Sequence, residues 1–109
     1  MIKVTFTEEG EKLSLRLEGH AGHAEHGKDI VCASASILAY TVAQYIVEAE
    51  HQGDLKAPPT VKLEEGDAFI SCEPCENVYT FIHNVYSFAK IGYALLENNY
   101  PQYVRLIES

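Results

Sequence analysis

Apolar and polar residues alternate in short runs along this chain, and two long stretches of helical period interrupt the alternation. Ile2, Val4 and Phe6 alternate with Lys3, Thr5 and Thr7, and Leu13, Leu15 and Leu17 alternate with Ser14, Arg16 and Glu18. Period two puts successive side chains on opposite faces, so residues 2–7 and 13–18 read as half-buried strands. Glu8-Glu9-Gly10-Glu11 between them reads as a hairpin connection. Residues 60–64 and 68–73 read as a second hairpin around Glu65-Gly66-Asp67, and residues 102–107 alternate once more, with Tyr103, Arg105 and Ile107 opposite Val104 and Leu106.

The helical stretches lie between these strands. From about 32 to 50, Leu38, Val42, Tyr45 and Ala49 fall on one stripe, widened by Ile37 and Ile46. His51-Gln52-Gly53 closes this helix, and Pro58-Pro59 forbids its resumption. From about 76 to 98 the stripe is Val78, Ile82, Val85, Phe88 or Ala89, Gly92, and Leu95 or Leu96, closed by Asn98-Asn99 and Pro101. The order is ββαββαβ, an α+β fold with two amphipathic helices packed on β-sheet. Each sheet face needs a cover, and the two helices are expected to provide it. A length of 109 residues fits one domain over 1–109, and seven Tyr and four Phe supply core bulk without any Trp.

Charge and cysteine usage narrow the function classes. A formal charge of −8, with its eight basic residues scattered, disfavours nucleic acid as a partner. The alternating start around Lys3, Val4 and Phe6 is unlike an export signal. No stretch reads as the roughly 20 apolar residues that a bilayer requires, so no membrane association and a cytoplasmic setting are expected. The cysteines are Cys32, Cys72 and Cys75, an odd count that argues against a disulfide framework.

Residues 19–31 fit neither period. Gly19, Gly22 and Gly27, with His20, His23 and His26, read as an irregular loop that ends near Asp29 and Cys32. Cys32 falls at a helix start, where the macrodipole favours a thiolate. Ala33, Ser34, Ala35 and Ser36 follow it and leave room for a substrate chain. The free amides of the first turn are expected to form an oxyanion hole, and a nearby histidine to exchange the thiol proton. Taken alone, a cysteine before a helix also reads as a small buried apolar residue. Gly22 and Gly27 fit a loop that closes over an inserted peptide, and equally plain turn geometry.

Gly19-His20-Ala21, the glycine-bearing loop, and Asp29-Ile30-Val31-Cys32-Ala33 with Ser36 together resemble the signature of the ribosomal-processing cysteine protease (Prp) family. The likeness in the order of strands and helices extends over essentially the whole chain, and no comparable motif lies in the distal half. The resemblance implies a bacterial thiol protease that removes a short N-terminal extension from the precursor of large-subunit ribosomal protein L twenty-seven. Its substrates are cut after an aromatic residue, and its members are homodimers. It implies His20 as the catalytic histidine and Cys32 as the nucleophile, with Gly19, Asp29 and Ser36 at the other motif positions. Asp29 then either orients His20 as a third member or caps the helix through the amide of Val31 or Cys32. Ser36 fits a supporting hydrogen-bond donor. No cofactor is implied.

Three other readings compete. His20, His23, His26 and Cys32 form a set that zinc accepts, but Gly22 and Gly27 break any regular ligand face, so no metal is expected. Cys72-Glu73-Pro74-Cys75 has redox C-x-x-C spacing, but without a preceding βαβ crossover. A non-catalytic ribosome-assembly module, an acidic dimer holding a basic ribosomal protein without cutting it, is the remaining alternative.

Overall fold

The computed structural model describes residues 1–25 and 29–108. The expectations for His26 and Gly27 lie outside these residues. The elements follow the expected order: β1 (Ile2–Glu9), β2 (Lys12–Glu18), α1 (Ile30–His51), β3 (Thr60–Glu64), β4 (Asp67–Cys72), α2 (Tyr79–Asn99) and β5 (Val104–Glu108), with a short 3₁₀ turn at Glu76–Val78 before α2. The first hairpin is longer than its apolar alternation suggests, because the ladder continues through Glu8 opposite Leu13 and Glu9 opposite Lys12. Helix α1 starts at Ile30, two residues before Cys32, because the Asp29 side chain caps it there.

All five strands join one sheet in the order β3-β4-β2-β1-β5. Every pairing is antiparallel except β1 with β5. The pairing of β2 with β4 sets Glu18 opposite Asp67. The end of β2, where the irregular loop begins, therefore lies beside the β3–β4 turn.

Both helices pack on the same face of the sheet, against each other and the strands. The expectation of a cover on each face is corrected. The alternating residues Ile2, Val4, Leu13, Leu15, Leu17, Ile70 and Val104 are buried beneath the helices. Lys3, Thr5, Ser14 and Arg16 form the opposite face, where the Arg16 guanidinium lies 4.4 Å from the centre of the Phe69 ring. An antiparallel sheet with a polar outer face tolerates water on that side.

The buried stripes are also rotated from those expected. In α1 the core face is Val31, Ala35, Ala39, Val42, Ala43, Ile46 and Ala49, whereas Ile37 is 60% exposed and Tyr45 also faces outward. In α2 it is Ile82, Tyr86, Ala89 and Tyr93, so that of the alternatives Phe88 and Ala89 the alanine is buried and Phe88 is 77% exposed. Alanines let α1 approach closely, and the helices meet where a Cβ on Gly92 would fall 2.8 Å from Leu38 Cδ1. The buried tyrosines are tolerated because their hydroxyls are satisfied: Tyr93 donates to the Ala35 carbonyl at 2.8 Å and Tyr86 to the Ile70 carbonyl at 3.2 Å. Contrary to the composition reading, the 22-residue α1 contains an 18-residue stretch of mean hydropathy 1.7, long and apolar enough by length and composition to cross a membrane. Its core face here lies against the sheet and α2.

Candidate active site

The loop between β2 and α1 leaves the sheet through Gly19. Its φ is +97°, and a Cβ there would lie 2.3 Å from the Met1 carbonyl oxygen, so only glycine fits. The Gly19 amide donates to the Gly66 carbonyl at 2.9 Å, which ties the loop to the β3–β4 turn. Gly66 in turn lies beneath the His20 ring, for a Cβ at Gly66 would stand 2.6 Å from His20 Nε2. The imidazole thus rests on a hairpin turn more than forty residues away in sequence.

Asp29 is buried and organises the far side of the loop. Its Oδ1 accepts from the amides of Val31 at 2.9 Å and Cys32 at 3.0 Å, and its Oδ2 from those of His23 at 2.9 Å and Ala24 at 3.2 Å. Burial works to raise the pKa of this carboxyl, but the four backbone donors outweigh it and hold it below the ordinary carboxylate value. Of the two roles considered for Asp29, these bonds are those of the helix cap. The same carboxylate also clamps the loop to the helix.

Cys32 lies in the first turn of α1, partly buried, and its Sγ accepts a hydrogen bond from the Ala21 amide at 3.4 Å. This contact brings the helix start against the peptide link that follows His20. His20, Cys32, Asp29, Gly19 and Ser36 all line one open cleft of about 580 Å³, so the structure gathers every motif position into one place. Ser36 lies one turn beyond Cys32 along the floor. Opposite them the wall is Glu64, Glu65, Gly66 and Ala68, with Tyr40 from α1. These wall residues escape a reading of the sequence, because only the pairing of β2 with β4 brings them to the motif.

The amides expected to line an oxyanion hole are in part engaged. The amides of Val31 and Cys32 are engaged by the Asp29 carboxylate, and that of Ala33 donates to the Asp29 carbonyl at 3.0 Å. Three of the amides at the start of α1 are therefore already engaged.

The other histidine and cysteines have separate surroundings. The His23 ring packs edge-on against Tyr103, with centroids 5.0 Å apart, and against Tyr100. Cys72 is buried and accepts from the Tyr86 hydroxyl at 3.6 Å, and burial pushes its thiol pKa up, outweighing that bond. Cys75 faces the Gly53 carbonyl at 3.8 Å. The C-x-x-C pair is therefore two free thiols with different neighbours.

A partly exposed cysteine in the first turn of a helix, sharing a cleft with a histidine, is an arrangement typical of enzymes with a thiol nucleophile. The profile of the family described as Cysteine protease Prp matches residues 1–105, and the chain belongs to that family. A curated relative, the ribosomal processing cysteine protease Prp of Staphylococcus aureus, is 37% identical over 46 residues. That stretch is 42% of this chain and 43% of the relative, less than half the length of either. Among solved structures, Prp from Staphylococcus aureus with a covalently linked product peptide has a TM-score of 0.75 at 23% identity over the full length of both chains. The same enzyme with a substrate peptide gives 0.70 at 22%, again over both full chains. A Streptococcus mutans protein gives 0.67 at 25% identity, covering 99% of this chain and 93% of its own. These structures share the fold.

Proposed function

We propose that this chain is a cysteine endopeptidase in which Cys32 is the nucleophile and His20 the general acid–base. The observation that carries the reading is the convergence of both side chains on one open cleft, within a chain of the Prp family. His20 takes the Sγ proton, and the thiolate attacks the scissile carbonyl carbon. The tetrahedral adduct collapses with cleavage of the C–N bond, and His20 returns the proton to the leaving amine. Water then hydrolyses the thioester.

The proposed substrate is the N-terminal extension of the precursor of large-subunit ribosomal protein L twenty-seven. The relative's description as a ribosomal processing protease supports it, as does an open cleft that admits an extended peptide. A cytoplasmic setting belongs to the same reading, consistent with three free thiols. A homodimer is proposed as well. Its support is the outward apolar row of Phe81, Phe88, Ile91 and Leu95 on α2 beside Ile37 on α1, which a second copy would cover. Light scattering on the wild type and on Phe88→Glu tests the dimer, and a monomeric wild type counts against it.

The deciding experiment is mass spectrometry of the precursor incubated with wild type, Cys32→Ser and His20→Ala. The wild type alone is expected to release the extension. Precursor that is bound but left uncut by the wild type would instead favour the non-catalytic assembly module.

A further inference from the structure

We infer that the backbone N–H of Ala21 is the oxyanion donor of this site. The inference rests on Cys32 being the nucleophile. In the tetrahedral adduct a new bond joins Cys32 Sγ to the scissile carbon, and the carbonyl π electrons move onto oxygen. That oxygen needs a donor about 2.7–3.1 Å away, aimed beside the sulfur. In many thiol enzymes the start of the nucleophile's helix supplies such donors, but here three of those amides are already engaged. The amides of Val31 and Cys32 serve the Asp29 carboxylate, and the amide of Ala33 serves the Asp29 carbonyl.

The amide aimed at the reacting sulfur comes from the loop between β2 and α1. Ala21 N–H points to Cys32 Sγ at 3.4 Å, and the Ala21 side chain is buried, so the donor is held in place before substrate arrives. An oxygen on the carbon bonded to Sγ lies within its reach. The N–H then passes from sulfur to oxygen as charge moves from one to the other, and it satisfies the thiolate first and the adduct second. The geometry also gives Asp29 a purpose beyond capping. Through His23 and Ala24 it fixes the loop that carries Ala21, and through Val31 and Cys32 it fixes the helix that carries the sulfur. Donor and nucleophile are thereby set by one carboxylate. Ala21 contributes through its main chain, which explains why its side chain carries no chemistry.

The test exchanges one atom group in the full-length chain. Residues 1–31 are synthesised with lactic acid in place of Ala21, which replaces the N–H by an ester oxygen, and are ligated at Cys32 to residues 32–109. Peptide cleavage is expected to fall at least about 10²-fold in kcat with KM near wild type, while alkylation of Cys32 by iodoacetamide, which feels only the bond to the thiolate, falls far less. Alkylation builds no oxyanion. Cleavage near the wild-type rate would overturn the inference, and so would a parallel fall in cleavage and alkylation, which would confine the N–H to the thiolate. Should the ester chain not fold, spectra of ¹⁵N-labelled wild type with a peptide aldehyde decide. The Ala21 amide proton is expected to move downfield in the Cys32 adduct. Movement at Val31, Cys32 or Ala33 with Ala21 unmoved would refute the assignment. Failure of the aldehyde to add to Cys32 would overturn the nucleophile itself, a distinct result.

Discussion

The chain runs twice through the same local plan, a β-hairpin followed by a helix, and each hairpin-to-helix junction carries cysteine. At the first, Asp29 caps α1, Cys32 lies in its first turn and a cleft opens beside it. At the second, Cys72 ends β4 inside the core, and Cys75 precedes a 3₁₀ turn with no side-chain cap. The thiols resemble one another in sequence and differ in their surroundings. A cysteine becomes a candidate nucleophile where a capped helix start, a backbone donor and an open wall coincide. Burial alone, as at Cys72, raises the thiol pKa and keeps the sulfur protonated and away from solvent.

The sharpest way to break this contrast is to remove each thiol in turn. Cys32→Ala is expected to lower kcat for precursor cleavage by about 10⁴-fold or more, as loss of a nucleophile does in other covalent hydrolases. Cys75→Ala is expected to cleave within about twofold of wild type, as distal surface changes do. Comparable losses at both positions, measured by the rate of product formation, would erase the distinction between the junctions.

The next largest effect concerns the wall that the first junction has and the second lacks. Gly66 has φ +74° and lies against His20, whereas Gly10 has φ +63° and open space, with nothing within 4 Å of where a Cβ would stand. Alanine at either position meets similar left-handed strain, about 1–2 kcal/mol. Alanine at Gly66 alone must also displace the imidazole. Thermal melts of Gly66→Ala and Gly10→Ala are expected to fall together, while activity falls on the order of 10–10²-fold only in Gly66→Ala. Equal activity in the two variants would mean that the turn does not position His20.

These two sites also mark the reach of sequence reasoning. The order ββαββαβ, the loop at 19–31 and the grouping of His20 with Cys32 are legible in the sequence, because period, glycine spacing and motif are local signals. Gly66 and the Glu64–Glu65 wall are not, because the β2–β4 pairing joins segments some fifty residues apart. The helix faces mislead for a related reason. Hydropathy favours Ile37 as core, but close approach to the sheet selects Ala35 and Ala39 instead, and of the alternatives Phe88 and Ala89 it selects the smaller. The sequence shows where the helix begins, but not that one carboxylate occupies the amides of both Val31 and Cys32.

A smaller effect separates the two junctions by pH. Asp29→Asn keeps an acceptor for the helix cap but turns an N–H₂ toward the His23 and Ala24 amides. At neutral pH it is expected to cost about 2 kcal/mol, the scale of buried donors left unsatisfied. The folded carboxyl has a lowered pKa, so its stabilisation is complete above the unfolded value of about 4 and is lost as pH falls through the folded value. Urea unfolding of wild type and variant should therefore differ most above about pH 5 and converge below about pH 4. A gap that stays constant across that range would show that the ionised carboxylate is not the source.

The smallest expected effect transfers a feature of the first junction to the second. Cys75 has φ −61° and ψ 148°, a backbone conformation that suits a helix-capping residue, yet its sulfur makes no capping bond. Its sulfur approaches the Gly53 carbonyl at long range, a contact that a hydroxyl retains or gives up at little cost. Cys75→Ser is nearly isosteric and puts a competent acceptor at the start of the 3₁₀ turn that leads into α2. It is expected to raise stability by about 0.5–1 kcal/mol, read as a higher urea midpoint at unchanged slope, with cleavage unaltered. A gain in stability without a gain in chemistry would show that capping alone does not make a reactive site. At the first junction the cap matters because it fixes a loop and a nucleophile together, and the second junction has no such loop to fix.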